Sequence, residues 1–308
     1  MRSRDPVWRI HRRDFLALSA GALAGFTAGT TRINAQASLR FGVVTDSHYA
    51  DADPIGTRYY RQSLTKVREA VATIRRERAS FLAVLGDIKD MAPNEAEART
   101  LAHLAAIETE IRRFGGPTYH VLGNHDLDNI SKTQMLAGIT NTGIAADRSY
   151  YAFSHGGMRV IALDACYLES GEDYNRGNFD YRQTWIPAAE LAWLQRELTE
   201  AREPAIILAH QRLDASGDLH VKNSPEVRAV LERSGKVLAV FMGHDHAGAY
   251  ASVNGIHYYT QRAVVEGSGA DHNAYTMVEV DAERNLTVTG YRSAVSKDLP
   301  RRQPAGER

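Results

Sequence analysis

The segment Tyr119-His120-Val121-Leu122-Gly123-Asn124-His125-Asp126 decides the fold. A β-favouring apolar run ends at a glycine, and three side chains able to coordinate, donate or accept follow it at once. Glycine permits the sharp turn that would aim those groups at one point. Taken alone, the tetrapeptide also reads as a polar turn around a buried, hydrogen-bonded asparagine. The chain on either side separates the two readings.

Upstream, Gly115-Gly116-Pro117 stops a helix predicted over residues 95–114, with Leu101, Leu104, Ile107 and Ile111 on one side and Asn94 as its N-cap. Before it, Phe81-Leu82-Ala83-Val84-Leu85 reads as a strand ending at Gly86-Asp87, and residues 59–76 as a helix with Leu64, Val67, Val71 and Ile74 on one face. Phe41-Gly42-Val43-Val44-Thr45 is a further strand, ending at Asp46-Ser47-His48. Downstream, after a polar connection, residues 150–153 and 158–163 form a hairpin around His155-Gly156-Gly157. A long polar loop over 165–186 comes next, of the kind that is either functional or disordered. Pro187 opens a helix carrying Leu191, Leu194 and Leu198. Ala205-Ile206-Ile207-Leu208 is a strand ending at Ala209-His210, and Ser224-Pro225 caps another helix. Val237-Leu238-Ala239-Val240-Phe241 then runs to Gly243-His244-Asp245-His246. Residues 249–289 read as short strands and turns, and 296–308 as a polar tail.

Composition narrows the function classes. Lys+Arg and Asp+Glu both number 37, so no basic field points to nucleic acid. Residues 1–37 hold six of the arginines and two aspartates, leaving a body of 31 basic and 35 acidic residues. Cys166 is the only cysteine, which excludes an intrachain disulfide and a thiolate metal cluster; just past an apolar strand, it reads as a packed thiol.

The first 37 residues read as a targeting segment. Paired arginines in His11-Arg12-Arg13-Asp14-Phe15-Leu16 precede a weakly apolar, Gly/Ala-rich run to Ala28, and Ala35-Gln36-Ala37 supplies a small-x-small cleavage pattern. The run is too short to span a bilayer. It resembles a bacterial twin-arginine signal, implying handling by the twin-arginine translocation machinery, a periplasmic or secreted body, and no stable membrane anchor after cleavage. The folded domain is then expected over 38–295.

Five apolar strands each end in potential metal ligands: Asp46 and His48, Asp87, Asn124 and His125, His210, and His244 with His246. Sites in open α/β sheets form beyond the carboxyl ends of strands, so these groups could converge. Oxygen and imidazole donors without thiolates suit Mn, Fe, Zn or Ni rather than an all-oxygen calcium site. Seven or eight ligands exceed one tetrahedral zinc and match two divalent ions sharing a carboxylate.

Asp46-x-His48, Gly86-Asp87, Gly123-Asn124-His125-Asp126, Ala209-His210 and Gly243-His244-x-His246 together resemble the five-block pattern of calcineurin-like metallophosphoesterases, with Ala209 where glycine is usual. The resemblance runs from Leu39 to Ser293 and implies a four-layer αββα sandwich, two central sheets flanked by helices. It further implies that Asp46, His48 and His246 hold one ion, that Asn124, His210 and His244 hold the other, and that Asp87 bridges them. His125 would protonate the leaving oxygen or stabilise the transition state, oriented by Asp126. Hydrolysis of a small phosphorylated substrate by a metal-activated water follows from the same likeness.

Arg58-Tyr59-Tyr60-Arg61-Gln62-Ser63-Leu64, the stretch Phe241–Gly248 and Gly255-Ile256-His257 are similar to the manganese-dependent ADP-ribose/CDP-alcohol diphosphatase-like branch. That branch favours manganese and nucleotide-diphosphate-type substrates; other monoesters or diesters, or a non-catalytic metal-binding role, stand as alternatives. No substrate-binding residue is assigned. Tyr174, Phe179 and Tyr181 could stack on a base or anchor the long loop, and Arg58, Arg61, Arg182 and Arg212 could grip phosphates or remain solvated. His103 and His120 read as packing histidines.

Overall fold

The computed structural model describes residues 39–301; the export-signal reading of residues 1–37 lies outside them. The first half alternates strand and helix: β1 Leu39–Val44, α1 Ser63–Arg76, β2 Phe81–Val84, α2 Glu97–Arg112 and β3 Thr118–His120. A short α3, Lys132–Gly138, precedes the hairpin β4 Tyr151–His155 and β5 Met158–Ala162. Then come α4 Ala188–Glu200, β6 Ala205–Leu208, α5 Ser224–Ser234 and β7 Val237–Met242. The chain closes with β8 Ala249–Val253, β9 Ile256–Thr260, β10 Ala274–Val280, β11 Leu286–Arg292 and β12 Lys297–Leu299.

These strands form two six-stranded mixed sheets, ordered β12-β11-β10-β1-β2-β3 and β4-β5-β6-β7-β9-β8. The central strands are buried on both faces, which is why they read as continuous apolar runs. Alternate side chains go to different layers. Phe41, Val43, Phe81, Ile206, Leu208 and Phe241 meet between the sheets. Val44, Leu82 and Val84 pack under α1, α2 and α3, whereas Ile207, Val240 and Met242 pack under α4 and α5. The expected αββα sandwich is the observed architecture. Its centre is aromatic: Phe41 stacks on Phe81 at 4.8 Å and meets Phe241 edge-on at 5.6 Å. Truncating such a residue to alanine costs about 3–5 kcal/mol.

Three expectations need correction. Asn94 does not cap α2; it turns with φ 58° ahead of the helix, and Ala96 occupies the cap position. Residues 296–308 are not all tail, because Lys297–Leu299 pairs with β11 and Leu299 is fully buried. A single apolar residue in that strand gave little periodicity to read. Finally, α3 lies in what reads as a polar connection, although Ser131 and Gln134 form the reciprocal cap that marks a helix start.

Candidate metal centre

The site lies where the carboxyl ends of β1, β2 and β3 in one sheet meet those of β6 and β7 in the other. Backbone bonds hold the strand-end loops together: Asp46 N–H donates to Gly86 O at 3.0 Å, His48 N–H to Asp87 O at 2.8 Å, and Gly243 N–H to His210 O at 2.9 Å. Side chains tie them further, the first of these bonds across the two sheets and the second within one. His244 N–H donates to Asp46 Oδ2 at 3.0 Å, and His125 N–H to Asp87 Oδ1 at 2.7 Å.

This convergence requires unusual backbone. Asp46, His48, Asp87 and His244 all have left-handed φ, between 44° and 67°. Such strain in four of the seven expected ligands is the kind that collects at functional sites. Glycines make room for the carboxylates: a Cβ at Gly123 would strike the Asp87 side chain, and one at Gly243 would strike Thr45 and Asp46.

Two groups of donor atoms result from the expected ligands, and a third joins His48 to Asp90 and His125. One atom each from Asp46, His48 and His246 lies within 4.8 Å of the others, and the same holds for Asp87, His210 and His244. In the first group, Nε2 of His48 and Nε2 of His246 both lie about 3.5 Å from Asp46 Oδ1, at 3.6 and 3.5 Å, and 3.1 Å from each other. Asp87 Oδ2 reaches both groups, 3.6 Å from His48 Nε2 and 3.2 Å from His210 Nε2. Asn124 ends β3's turn with its amide oxygen buried. Four of these buried atoms, Asp46 Oδ1, Asn124 Oδ1, His210 Nε2 and His244 Nε2, have no hydrogen-bond partner. A buried polar atom without a partner costs about 1–3 kcal/mol, so a cluster of them around carboxylates fits divalent cations. The residues present could therefore hold two ions through oxygen and imidazole donors.

Further groups aim the imidazoles. His210 Nδ1–H donates to Leu85 O at 2.6 Å, Glu266 Oε1 lies 2.6 Å from His246 Nδ1, and Asp90 Oδ2 lies 3.1 Å from His48 Nδ1. Each such partner fixes the ring so that Nε2 faces the ion site. Burial raises Asp46 and Asp87, yet the surrounding histidines outweigh it and hold both carboxyls below their ordinary value. Burial and the neighbouring His210 push His244 down to about 3.

His125 stands beside this ligand cluster, its ring 4.7 Å from that of His48. Its Nδ1 lies 3.4 Å from Asp90 Oδ2 and 3.7 Å from Asp128 Oδ2. Burial lowers its pKa, but Asp87, Asp128 and Asp90 override that and keep it well above the ordinary histidine value. Asp126 does not orient it. Its carboxylate accepts backbone N–H groups of Asp87 at 3.0 Å, Ile88 at 2.9 Å and Gly123 at 2.8 Å. Within the tight 3₁₀ turn His125–Leu127, adjacent side chains point apart, and Asp126 fastens the loops that carry Asp87 and Asn124. Burial and repulsion from Asp87 push it up to about 6.

Sequence reading missed Asp90, Asp128 and Glu266. Asp90 and Asp128 each follow an identified residue by three positions; Glu266 returns to His246 only through β8, β9 and the following turn, with no local pattern to mark it. Of the four arginines, Arg61, Arg182 and Arg212 are committed to carboxylates at 2.5–2.8 Å, while Arg58 sits 4.0 Å from Glu266. His120 is buried, with Nδ1 3.2 Å from Asn141 Oδ1 but no hydrogen bond at Nε2, which lies 3.1 Å from Glu108 Oε2; His103 accepts the Asp51 N–H. Cys166 is a buried free thiol, as read.

The sequence model of the family described as calcineurin-like phosphoesterase matches residues 39–248, spanning every strand-end block above. The chain belongs to that family. Membership makes this calcineurin-like phosphoesterase a hydrolase of phosphoester bonds with a dinuclear metal centre. It is 28% identical over 294 residues to a manganese-dependent ADP-ribose/CDP-alcohol diphosphatase of Oryza sativa subsp. japonica, covering 80% of this chain and 90% of that one. A protein of the same description from Xenopus tropicalis is 26% identical over 288 residues, covering 73% and 84%. In structure the phosphoesterase is similar to a dimetal phosphatase from Danio rerio, with a TM-score of 0.72 at 22% identity over 86% of this chain and all of that one. A purple acid phosphatase from yellow lupin shares the fold at a TM-score of 0.56 and 14% identity, covering 84% of this chain and 52% of that one.

Proposed function

We propose that this chain is an exported, manganese-dependent hydrolase of nucleotide-diphosphate-type compounds. Asp46, His48 and His246 would hold one ion, Asn124, His210 and His244 the other, and Asp87 would serve both. The four buried donor atoms without a hydrogen-bond partner, on Asp46, Asn124, His210 and His244, carry the ligand assignment. The substrate class rests on the diphosphatases that match most of the chain, as does manganese, which the oxygen–imidazole donor set suits. Export to the periplasm or beyond rests on the paired arginines, the short apolar run and Ala35-Gln36-Ala37. A route that carries folded proteins suits a chain that acquires metal first.

When bound, two divalent ions supply a water activated near neutral pH and relief of phosphoryl charge. The chain's own residues do the rest. Asp87, held by the His125 N–H, spans both groups and offsets charge on each side. Asn124 contributes an oxygen without adding negative charge beside an incoming phosphate. His125, kept protonated by Asp87, Asp128 and Asp90, has Nδ1 against carboxylates and Nε2 left for the cleft. From there it donates a proton to the departing oxygen.

The test is hydrolysis by the metal-stripped mature chain from Ser38, with Mn, Fe, Zn or Mg restored separately and Asp87→Ala as control. Substrates are ADP-ribose, a CDP-alcohol, bis-p-nitrophenyl phosphate and p-nitrophenyl phosphate. Metal-dependent turnover of the first two, greatest with Mn and lost in the variant, is the expected result. Turnover of the nitrophenyl esters alone would discard the diphosphate substrate, and two bound ions without any turnover would discard the enzyme reading.

A further inference from the structure

An exposed aromatic ring stands beside the candidate metal centre, with the Arg182 guanidinium 5.8 Å from its centroid. Tyr181 is 45% exposed, and its ring lies 6.0 Å from that of His244. Together with Asn124, His125, Asp128, Phe179 and Asp180 it lines a cleft of about 340 Å³, large enough for a small ligand. We infer that this cleft seats the nucleoside portion of the substrate, with the Tyr181 ring as the platform for its base; the inference rests on the phosphoesterase reading of the adjacent centre.

Direction comes from His125. A group that protonates the departing oxygen must face it, so whatever lies beyond that oxygen enters the cleft that His125 lines. The backing of the platform is built, not loose. Tyr174 is fully buried and stacks on Phe179 with centroids 4.0 Å apart and planes 6° apart. Gly177 N–H donates to Leu127 O at 3.0 Å and Arg176 N–H to Ile130 O at 3.2 Å, tying the loop to the segment that follows His125. Lys132 of α3 reaches Asp164 and Asp173 at 2.8 and 2.6 Å from beneath. These contacts separate the three loop aromatics: Tyr174 anchors, Phe179 stacks on it at the cleft wall, and Tyr181 is the exposed one. A ring held in place loses little freedom on binding.

Charge defines what the cleft takes. Asp128 is paired with Lys89 and Asp180 with Arg182 at 2.8 Å. Apart from His125 no lining side chain is a cation, and with Arg182 held by Asp180 the cleft favours a neutral group. It offers carboxylate oxygens as acceptors for sugar hydroxyls, and a flat ring for a base.

The experiment compares binding of AMP, ribose 5-phosphate and inorganic phosphate to the manganese-loaded protein by calorimetry, for the wild type, Tyr181→Ala and Tyr181→Phe. AMP should bind the wild type more tightly than ribose 5-phosphate. Removing the ring should weaken AMP about tenfold, the size of one lost base stack, without changing the other two ligands; Tyr181→Phe should keep the preference. Equal weakening of all three ligands would mean that Tyr181 only props His244, and a wild type without AMP preference would mean that no base is read here. An AMP preference lost in Tyr181→Ala, in a protein that fails to hydrolyse ADP-ribose, would uphold the platform and remove only the diphosphate substrate.

Discussion

Glu266 holds His246 from behind: its Oε1 lies 2.6 Å from Nδ1, while Nε2 of the same ring faces Asp46 Oδ1 at 3.5 Å. The carboxylate is itself kept down at about 2, chiefly by that hydrogen bond. Partners of this kind set tautomer and aim, and losing one costs about 10–100-fold in metal affinity. Glu266→Gln should therefore weaken one of the two ions by that factor and spare the other. Metal content after dialysis against graded chelator would show it. Retention of both ions at wild-type affinity would falsify the assignment.

His125→Gln should separate catalysis from metal binding. The ring is not among the seven expected ligands, although it shares a donor group with His48 and Asp90, so both ions should remain. Turnover should fall about 10²–10⁴-fold, the range for losing a positioned acid. Because Asp87, Asp128 and Asp90 keep the imidazole protonated well above its ordinary range, wild-type activity should persist through neutral pH and decline on the alkaline side. That alkaline limb should be missing from the pH profile of the variant. A variant that keeps the limb would assign it to another group.

The candidate metal-centre pattern was legible because each expected ligand closes a local unit, an apolar run followed by a polar turn, and five such units in order are hard to produce by packing alone. What surrounds those ligands was not. Glu266 reaches His246 through a chain reversal that no spacing records. Asp126 and His125 are neighbours in sequence but not in contact, because the 3₁₀ turn sends the carboxylate toward Gly123 and Asp87 instead. Tyr174 and Tyr181 sit seven residues apart in one polar loop, yet one is fully buried and the other open; composition does not separate them, and only the stack on Phe179 does.

The reassigned Asp126 has its own signature. Asp126→Asn keeps the shape but gives up an acceptor where three backbone N–H groups converge. A buried donor left unsatisfied costs about 1–3 kcal/mol, so thermal unfolding should shift down and metal affinity should drop as the Asp87 loop loosens. The alkaline limb set by His125 should survive in whatever activity remains. Loss of that limb with normal stability would restore the role of orienting His125.

Metal uptake should release protons. In the metal-free protein, burial alone would push His210 and His246 down, but Asp87 and Asp46 hold His210 up at about 9, and Asp46 with Glu266 does the same for His246. An imidazole nitrogen must be free of its proton to bind a cation. At pH 7, therefore, His210 and His246 must each give one up, while His244, pushed down to about 3, has none to lose. Metal affinity should rise with pH toward about 9 and level beyond it. The stability of the metal-free protein runs the other way, because both folded values lie above the ordinary 6.5. Their contribution is complete below pH 6.5 and is lost as pH climbs through 9. Calorimetric manganese titrations at pH 7, in two buffers of different ionisation enthalpy, measure the protons directly. Identical heats in both buffers would mean that the two imidazoles are already neutral, and the electrostatic account of this centre would fail with them.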